Sequence, residues 1–309
     1  MPFDEVTLND GNKMPTIAFG TGSKWKRQDV TSLVGQALES GFSHVDTAAV
    51  YETEQYVGEA IRESGLGRSE FFITTKYANV VSKTIPEGIQ RSLENLGLKQ
   101  VDLYLIHFPM FVSDLQIAWK EMETVQAQGS AKSIGVSNFA LKDLETIMMV
   151  ANVTPAVNQI SLNPYNYAQM KPTIDYCKKH GIAVEAYSSL APITRYPGGP
   201  VDAPLKTAAE RLGITPVQAI FLWLRSKNVI IVTTTSKKEH MEEYLAVGDL
   251  GPLTEEEVAA IDEAGAKGPP SQVSVALRRG YDRATSSPSK ALLTLAAASF
   301  MMYQGLRLW

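Results

Sequence analysis

Gly41-Phe42-Ser43-His44-Val45-Asp46-Thr47-Ala48-Ala49-Val50-Tyr51 carries the pattern that decides the fold. Phe42 to Asp46 reads as a short strand that stops at a carboxylate, and Tyr51 follows five residues later in the loop above it. A helix pattern starts at once in Glu54, Val57, Gly58, Ala60 and Ile61. A carboxylate at a strand end with a tyrosine over it is half of a proton-transfer site. The plain alternative is a capping Asp and a packed Tyr. Two later strands end in the same manner, which weakens that alternative. Phe71-Phe72-Ile73-Thr74-Thr75 ends in Lys76, and Val101-Asp102-Leu103-Tyr104-Leu105-Ile106 ends in His107.

Outward from this stretch, strands and helices alternate. Strand patterns fall at 16–19, 43–46, 71–75, 102–106, 132–136, 156–160, 182–187 and 229–233. Helix patterns fall at 29–40, 54–64, 85–97, 114–128, 140–150, 169–180, 215–227 and 237–246. Thr84-Ile85-Pro86-Glu87 is a capping-box start with proline in the first turn. Ahead of all this, Val6-Thr7-Leu8 and Lys13-Met14-Pro15 flank Asp10-Gly11 as a hairpin. Short apolar strands each followed by a helix predict a parallel sheet buried on both faces. Eight such units predict an α/β fold of the (β/α)8 TIM-barrel type, with an N-terminal β-hairpin. The rival, an open dinucleotide-binding sheet, needs a third glycine where Gly20-Thr21-Gly22-Ser23-Lys24-Trp25 has Trp25. In a barrel, chemistry collects at the carboxyl ends of the strands, so Asp46, Tyr51, Lys76 and His107 converge.

Composition excludes several classes. An apolar content of 44% with 20% charge describes an ordinary globular chain. Pro2-Phe3-Asp4-Glu5 is acidic where a secretory signal is basic and then apolar, so a cytoplasmic location is expected. A single cysteine, Cys177, precludes an internal disulfide, and four histidines without ligand spacing predict no metal. Residues 278–309 carry Arg278, Arg279, Arg283, Lys290 and Arg307 against Asp282, which leaves 24 basic and 32 acidic residues in 1–277, or −8. An acidic body predicts no nucleic-acid partner.

Five motifs in order resemble the aldo-keto reductase superfamily, and its fungal-type NADPH-dependent reductases in particular. They are Gly41 to Ala48 with Tyr51, then Val57-Gly58, Thr74-Thr75-Lys76, Asp102 to Pro109, and Gly135-Val136-Ser137-Asn138-Phe139, within a match from about Met14 to Gly268. The resemblance implies reduction of a small-molecule aldehyde or ketone with Asp46, Tyr51, Lys76 and His107 as the catalytic tetrad. The residue chemistry agrees. A phenol is a poor proton donor at neutral pH, and an adjacent ammonium held by a carboxylate lowers its pKa. His107 would orient the carbonyl and Tyr51 would protonate the developing alkoxide.

The resemblance further implies that Ser137, Asn138 and Gln159 hold the nicotinamide carboxamide and that Tyr187 stacks on its ring. It places the amides of Ser188, Ser189 and Leu190 near the pyrophosphate. Two departures stand out. Thr234 and His240 occupy the places of a family lysine and arginine, so Ser236, Lys237 and His240 become the candidates for the adenosine 2′-phosphate. NADPH is therefore expected, with NADH the alternative. Phe108 stands where the family often has Trp, and with Trp25, Met110, Phe111 and Phe139 it suggests an apolar pocket mouth or ordinary packing.

A rival function is a cofactor-binding scaffold or regulatory subunit of the same fold with little turnover. The domain reading is 1–277 as the barrel and 278–309 as a basic, then apolar, C-terminal tail. Ala291 to Trp309 would form a helix ~28 Å long, close to a hydrocarbon core of ~30 Å. It reads equally as a helix packed on the barrel, a partner contact, or an anchor that leaves the catalytic body on the cytosolic face of a membrane.

Overall fold

The computed structural model describes residues 4–271 and 275–276. An antiparallel hairpin, β1 (Glu5–Thr7) and β2 (Lys13–Pro15), opens it, turned where Gly11 takes a left-handed φ of 87°. Next come β3 (Ile17–Gly20), α1 (Thr31–Ser40), β4 (His44–Asp46), α2 (Glu54–Ser64), β5 (Phe72–Tyr77), α3 (Ile85–Leu96) and β6 (Val101–Ile106). The series continues with α4 (Leu115–Ala127), β7 (Ala131–Ser137), α5 (Leu141–Met148), β8 (Val157–Ser161), α6 (Tyr167–Lys179) and β9 (Ala183–Tyr187). It ends with α7 (Ala191–Thr194), α8 (Asp202–Leu212), α9 (Pro216–Ser226), β10 (Ile230–Thr233), α10 (Lys238–Leu245) and α11 (Glu255–Ala266).

The eight strands β3 to β10 close into one parallel barrel in the order β10-β3-β4-β5-β6-β7-β8-β9. The eight expected strands and eight expected helices are all present within a few residues. Three helices add to the sequence reading: α7, α8 and α11. Pro204 and an alanine-rich face conceal α8, and α11 buries only Ile261, Ala264 and Gly265, too few apolar positions for a clear period. Thr254 and Glu257 nevertheless form a capping box at its start.

Two cores position the site. The larger lies between barrel and helices and includes Trp119, Trp223, Phe42 and Phe221. Phe139 belongs to it, fully buried, which corrects its assignment to the pocket mouth. Outward-facing strand residues meet the apolar helix faces there. The backbone of α3 comes so close to α2 that a Cβ on Gly58 would overlap the Leu96 carbonyl. The smaller core fills the amino end of the barrel, where Phe72, Leu103, Val157 and Ile230 meet Leu8 and Met14 from the hairpin. The hairpin therefore seals that end, and the strands lead their polar residues to the other.

Residues 278–309, with the tail-helix and anchor readings, lie outside the described residues. Among the described residues no helix is long and apolar enough to cross a membrane.

Candidate active site

Each tetrad residue is delivered by a different piece of the carboxyl rim. Asp46 is the last residue of β4, Lys76 lies one residue from the end of β5, and His107 follows β6. Tyr51 closes a short 3-10 turn, Ala49–Tyr51, whose geometry returns its ring over the barrel. Gly22 permits this, because a Cβ there would stand 3.0 Å from the Tyr51 ring. A cavity of about 700 Å³ opens above them, lined by Asp46, Tyr51 and His107. That volume lies within the range of ~300–1,000 Å³ usual for small-molecule sites.

Lys76 is fully buried beneath the cavity and makes three short hydrogen bonds. Its Nζ donates to Asp46 Oδ1 at 2.6 Å, Asp46 Oδ2 at 2.7 Å and the Thr47 carbonyl at 2.8 Å. The same ammonium lies 5.2 Å from the Tyr51 ring centroid, and Tyr51 Oη is 3.4 Å from His107 Nε2. Burial acts to lower the Lys76 pKa, but the Asp46 carboxylate and the Tyr51 phenol outweigh it and the net shift is upward. Lys76 is therefore a fixed cation. Burial also pushes the Tyr51 phenol up, against the pull of Lys76. The lysine acts in the direction expected from sequence, but desolvation is the larger effect and the net shift is the reverse. His107 is driven down to about 2 by burial and then by the charges of Lys76 and Lys26, so its imidazole is neutral. Its Nδ1 is buried without a partner.

The far wall gathers the residues matched to the nicotinamide. Ser137 Oγ donates to the Gln159 carbonyl at 2.9 Å, and Asn138 Nδ2 donates to the His107 carbonyl at 3.0 Å. Tyr187 Oη donates to Asn138 Oδ1 at 2.7 Å, which ties β9 to the loop after β7. Asn138 and Ser188 hold left-handed φ angles of 62° and 58°. Such angles are uncommon for residues with a side chain and point to a backbone shaped for a ligand. Ser188, Ser189 and Leu190 line the cavity, and the buried Ser189 Oγ has no protein partner. A cradle of turned backbone beside an orphaned hydroxyl fits an anionic, polar cofactor.

Other candidates lie at the edge. Phe108 stacks on His107 at 4.8 Å between centroids, and Phe111 meets Phe108 edge-on at 5.3 Å. Trp25 is half-buried at the rim and donates from Nε1 to Thr234 Oγ1 at 3.1 Å, so it bridges two loops. Thr235 Oγ1 receives the Lys237 amide at 3.2 Å and meets His240 Nδ1 at 3.3 Å. Lys237 and His240 are thereby folded into one turn, although they, like the exposed Ser236, stand outside the cavity wall.

Three charged residues were not singled out from sequence. Lys26 and Arg195 line the cavity, and both come from loops without regular spacing. Glu185 lies in the floor, and a carboxylate in the otherwise apolar strand Ala183-Val184-Glu185-Ala186 was a readable signal.

The sequence model of the Aldo/keto reductase family matches residues 16–266. The chain is 39% identical over 246 residues to the NAD/NADP-dependent indole-3-acetaldehyde reductase of Schizosaccharomyces pombe, covering 76% of this chain and 86% of that protein. It is 37% identical to the NADPH-dependent alpha-keto amide reductase of Saccharomyces cerevisiae, over 84% of this chain and 90% of that protein. Among solved structures, the Bombyx mori aldo-keto reductase AKR2E4 in complex with NADP superposes with a TM-score of 0.75 at 33% identity, covering 84% of this chain and 92% of that one. An aldo/keto reductase from Brucella melitensis also superposes with a TM-score of 0.75, at 34% identity, over 85% of this chain and 99% of that one.

Proposed function

The chain belongs to the aldo/keto reductase family, and from that premise we propose that it reduces aldehydes or ketones to alcohols with NADPH, Tyr51 giving the proton. The observation that carries this reading is the grouping of Tyr51 Oη and His107 Nε2, 3.4 Å apart at one cavity wall, with the Lys76 ammonium beneath the phenol. A nicotinamide cofactor supplies the hydride when bound. The protein does the remaining work. Ser137, Asn138 and Gln159 bind the carboxamide, Tyr187 faces the ring, and Ser188 to Leu190 receive the pyrophosphate. Neutral His107, protonated at Nε2, donates to the substrate oxygen and holds it beside Tyr51. As charge grows on that oxygen, Tyr51 transfers its proton to it, and Lys76 stabilises the phenolate left behind. Phe108 and Phe111 give the approach an apolar wall, which favours carbonyls with apolar substituents.

NADPH is preferred over NADH in this reading because Lys237 and His240 share a turn at the start of α10, where a 2′-phosphate would meet positive charge. The S. cerevisiae relative is named for NADPH and the S. pombe relative for both cofactors.

Tyr51→Phe tests the proposal. General acid catalysis is typically worth ~10²–10⁴-fold, and kcat should fall by that order while cofactor affinity, read by fluorescence titration, is retained. Turnover of the Phe variant near wild type on an aldehyde panel would falsify the assignment.

A further inference from the structure

Beneath the tetrad the hydrogen-bond donors can be counted, and one buried carboxyl is left without a cation. Lys76 directs its three short hydrogen bonds to Asp46 and Thr47 and also acts on Tyr51. Gln159 Nε2 has two, one given to Asp46 Oδ2 at 2.8 Å and the other to Glu185 Oε2 at 2.7 Å. Glu185 is fully buried, and its Oε1 has no partner. The strands beside β9 offer it no charge of their own: β8 presents neutral Gln159, and Ile230 and Ile231 of β10 lie in register. The ionic groups acting on it are Asp46 and Lys76. Two buried carboxyls thus share a single ammonium, and two carboxylates there would leave a net negative charge beneath the cavity. Asp46 holds the lysine through both oxygens, whereas Glu185 does not touch it.

We propose, resting on the reductase reading above, that Glu185 is a positioning residue that is a neutral acid at physiological pH and keeps the Lys76–Asp46–Gln159–Glu185 cluster free of net charge beneath Tyr51. Burial, followed by the Asp46 charge, pushes its carboxyl up to about 8, which agrees. Both Gln159 N–H groups are committed to acids, so the carboxamide cannot turn, and its oxygen is left for the cavity that Gln159 lines. Loss of the Glu185 proton adds a negative charge below Lys76. That charge weakens the hold of Lys76 on the phenolate, makes Tyr51 a poorer acid and slows reduction.

The test compares the full chain with Glu185→Gln, which keeps the shape of the neutral acid. Wild-type kcat/KM for aldehyde reduction should fall at least ~3-fold as pH rises through about 8. Glu185→Gln, with its profile normalised to its own value below that range, should lack this limb. Equal limbs in the two proteins overturn the proposal. A second readout needs neither turnover nor cofactor. The infrared difference between wild type and Glu185→Gln at neutral pH should contain a carboxylic-acid C=O band that vanishes as the pH is raised, and its absence overturns the proposal equally. Should the variant not fold, ¹³C-carboxyl glutamate in the wild type must show one side chain titrating far above the rest. A spectrum in which every Glu titrates in the ordinary carboxylate range is the contrary result. No carbonyl turnover by wild type would defeat the reductase reading, while the two spectra would still decide Glu185.

Discussion

At the amino end of the barrel Phe72, Leu103, Val157 and Ile230 close on Leu8 and Met14, whereas at the carboxyl end Asp46, Lys76, Gln159 and Glu185 bond to one another around a single ammonium. The strands are the same. Along β5 the inward column reads Phe72, Thr74, Lys76, and along β8 it reads Val157, Gln159. Inward positions recur every second residue, so on β5 four residues separate the sealed apolar layer from the charged one, and on β8 two residues separate it from the polar Gln159. The comparison teaches that stability and reactivity are divided along the barrel axis, and each end can be perturbed without the other.

The largest effect should come from Lys76→Met. It leaves Asp46 buried without its cation, and removing one partner of a buried pair costs about 3–5 kcal/mol. Urea unfolding should show that loss, and carbonyl turnover should vanish. The sharper form is Asp46→Leu with Lys76→Met, which makes the carboxyl end resemble the amino end. Apolar replacement of a whole buried pair is often neutral or stabilising, so the double variant should regain stability while remaining inactive. If it stays as unstable as the single variant, the two ends are not separable in this way.

Met14→Ala makes the complementary cut. A fully buried methionine lost from a packed layer costs about 2–5 kcal/mol. Unfolding midpoints should drop, and kcat/KM at room temperature should hold. A change in cofactor affinity as large as the change in stability would show that the hairpin seal and the site are coupled.

His44 sits between the two ends and titrates in the opposite sense to Glu185. Its Nε2 is 2.8 Å from Thr74 Oγ1, and burial, before any charge, drives it down to about 4. The folded state therefore binds fewer protons than the unfolded chain. Its contribution is full above the ordinary histidine value and is lost as pH falls from there through about 4, at most about 3 kcal/mol. Glu185 is raised, so its contribution is full below the ordinary carboxylate value and is lost as pH rises through about 8. His44→Gln should remove a rise of stability between about pH 4 and the ordinary histidine value, and Glu185→Gln a fall of stability between the ordinary carboxylate value and about pH 8. A change of the opposite sign in either variant would contradict the assignment.

Legibility from sequence follows the same division. The barrel and the convergence of Asp46, Tyr51, Lys76 and His107 at its rim were readable because strand ends are fixed points: Asp46, Lys76 and His107 each sit where an apolar run stops. Phe139 was misplaced because an aromatic after Ser137-Asn138 reads the same whether it faces the cavity or the helices, and only the turn at Asn138, with its left-handed φ, sends it into the core. The net upward shift of Tyr51 was not readable either, since sequence shows the lysine but not the depth of burial. Lys26 and Arg195 come from loops, where spacing carries no period.

The smallest expected effect lies at the rim after β10, where the comparison gains a third term. The floor residues are locked by paired hydrogen bonds, whereas Lys237 and Ser236 are exposed, and Lys237 is fixed through its backbone amide on Thr235. A side chain free to move loses entropy when it meets a ligand, so each contact there is worth less than one in the floor. Charge-assisted contacts to a phosphate still contribute roughly 1–2 kcal/mol net, equivalent to about 5- to 30-fold in affinity. Lys237→Ala with His240→Ala should therefore raise the KM for NADPH by about that factor and leave the KM for NADH within about twofold. Raised salt should narrow the gap in wild type and not in the variant, because exposed charges are screened. Equal weakening for both cofactors would mean that the turn supports the adenosine or the backbone of α10 and does not read the 2′-phosphate. No change for either cofactor would move phosphate recognition to another part of the rim, with Arg195, already in the cavity wall, as the next residue to replace.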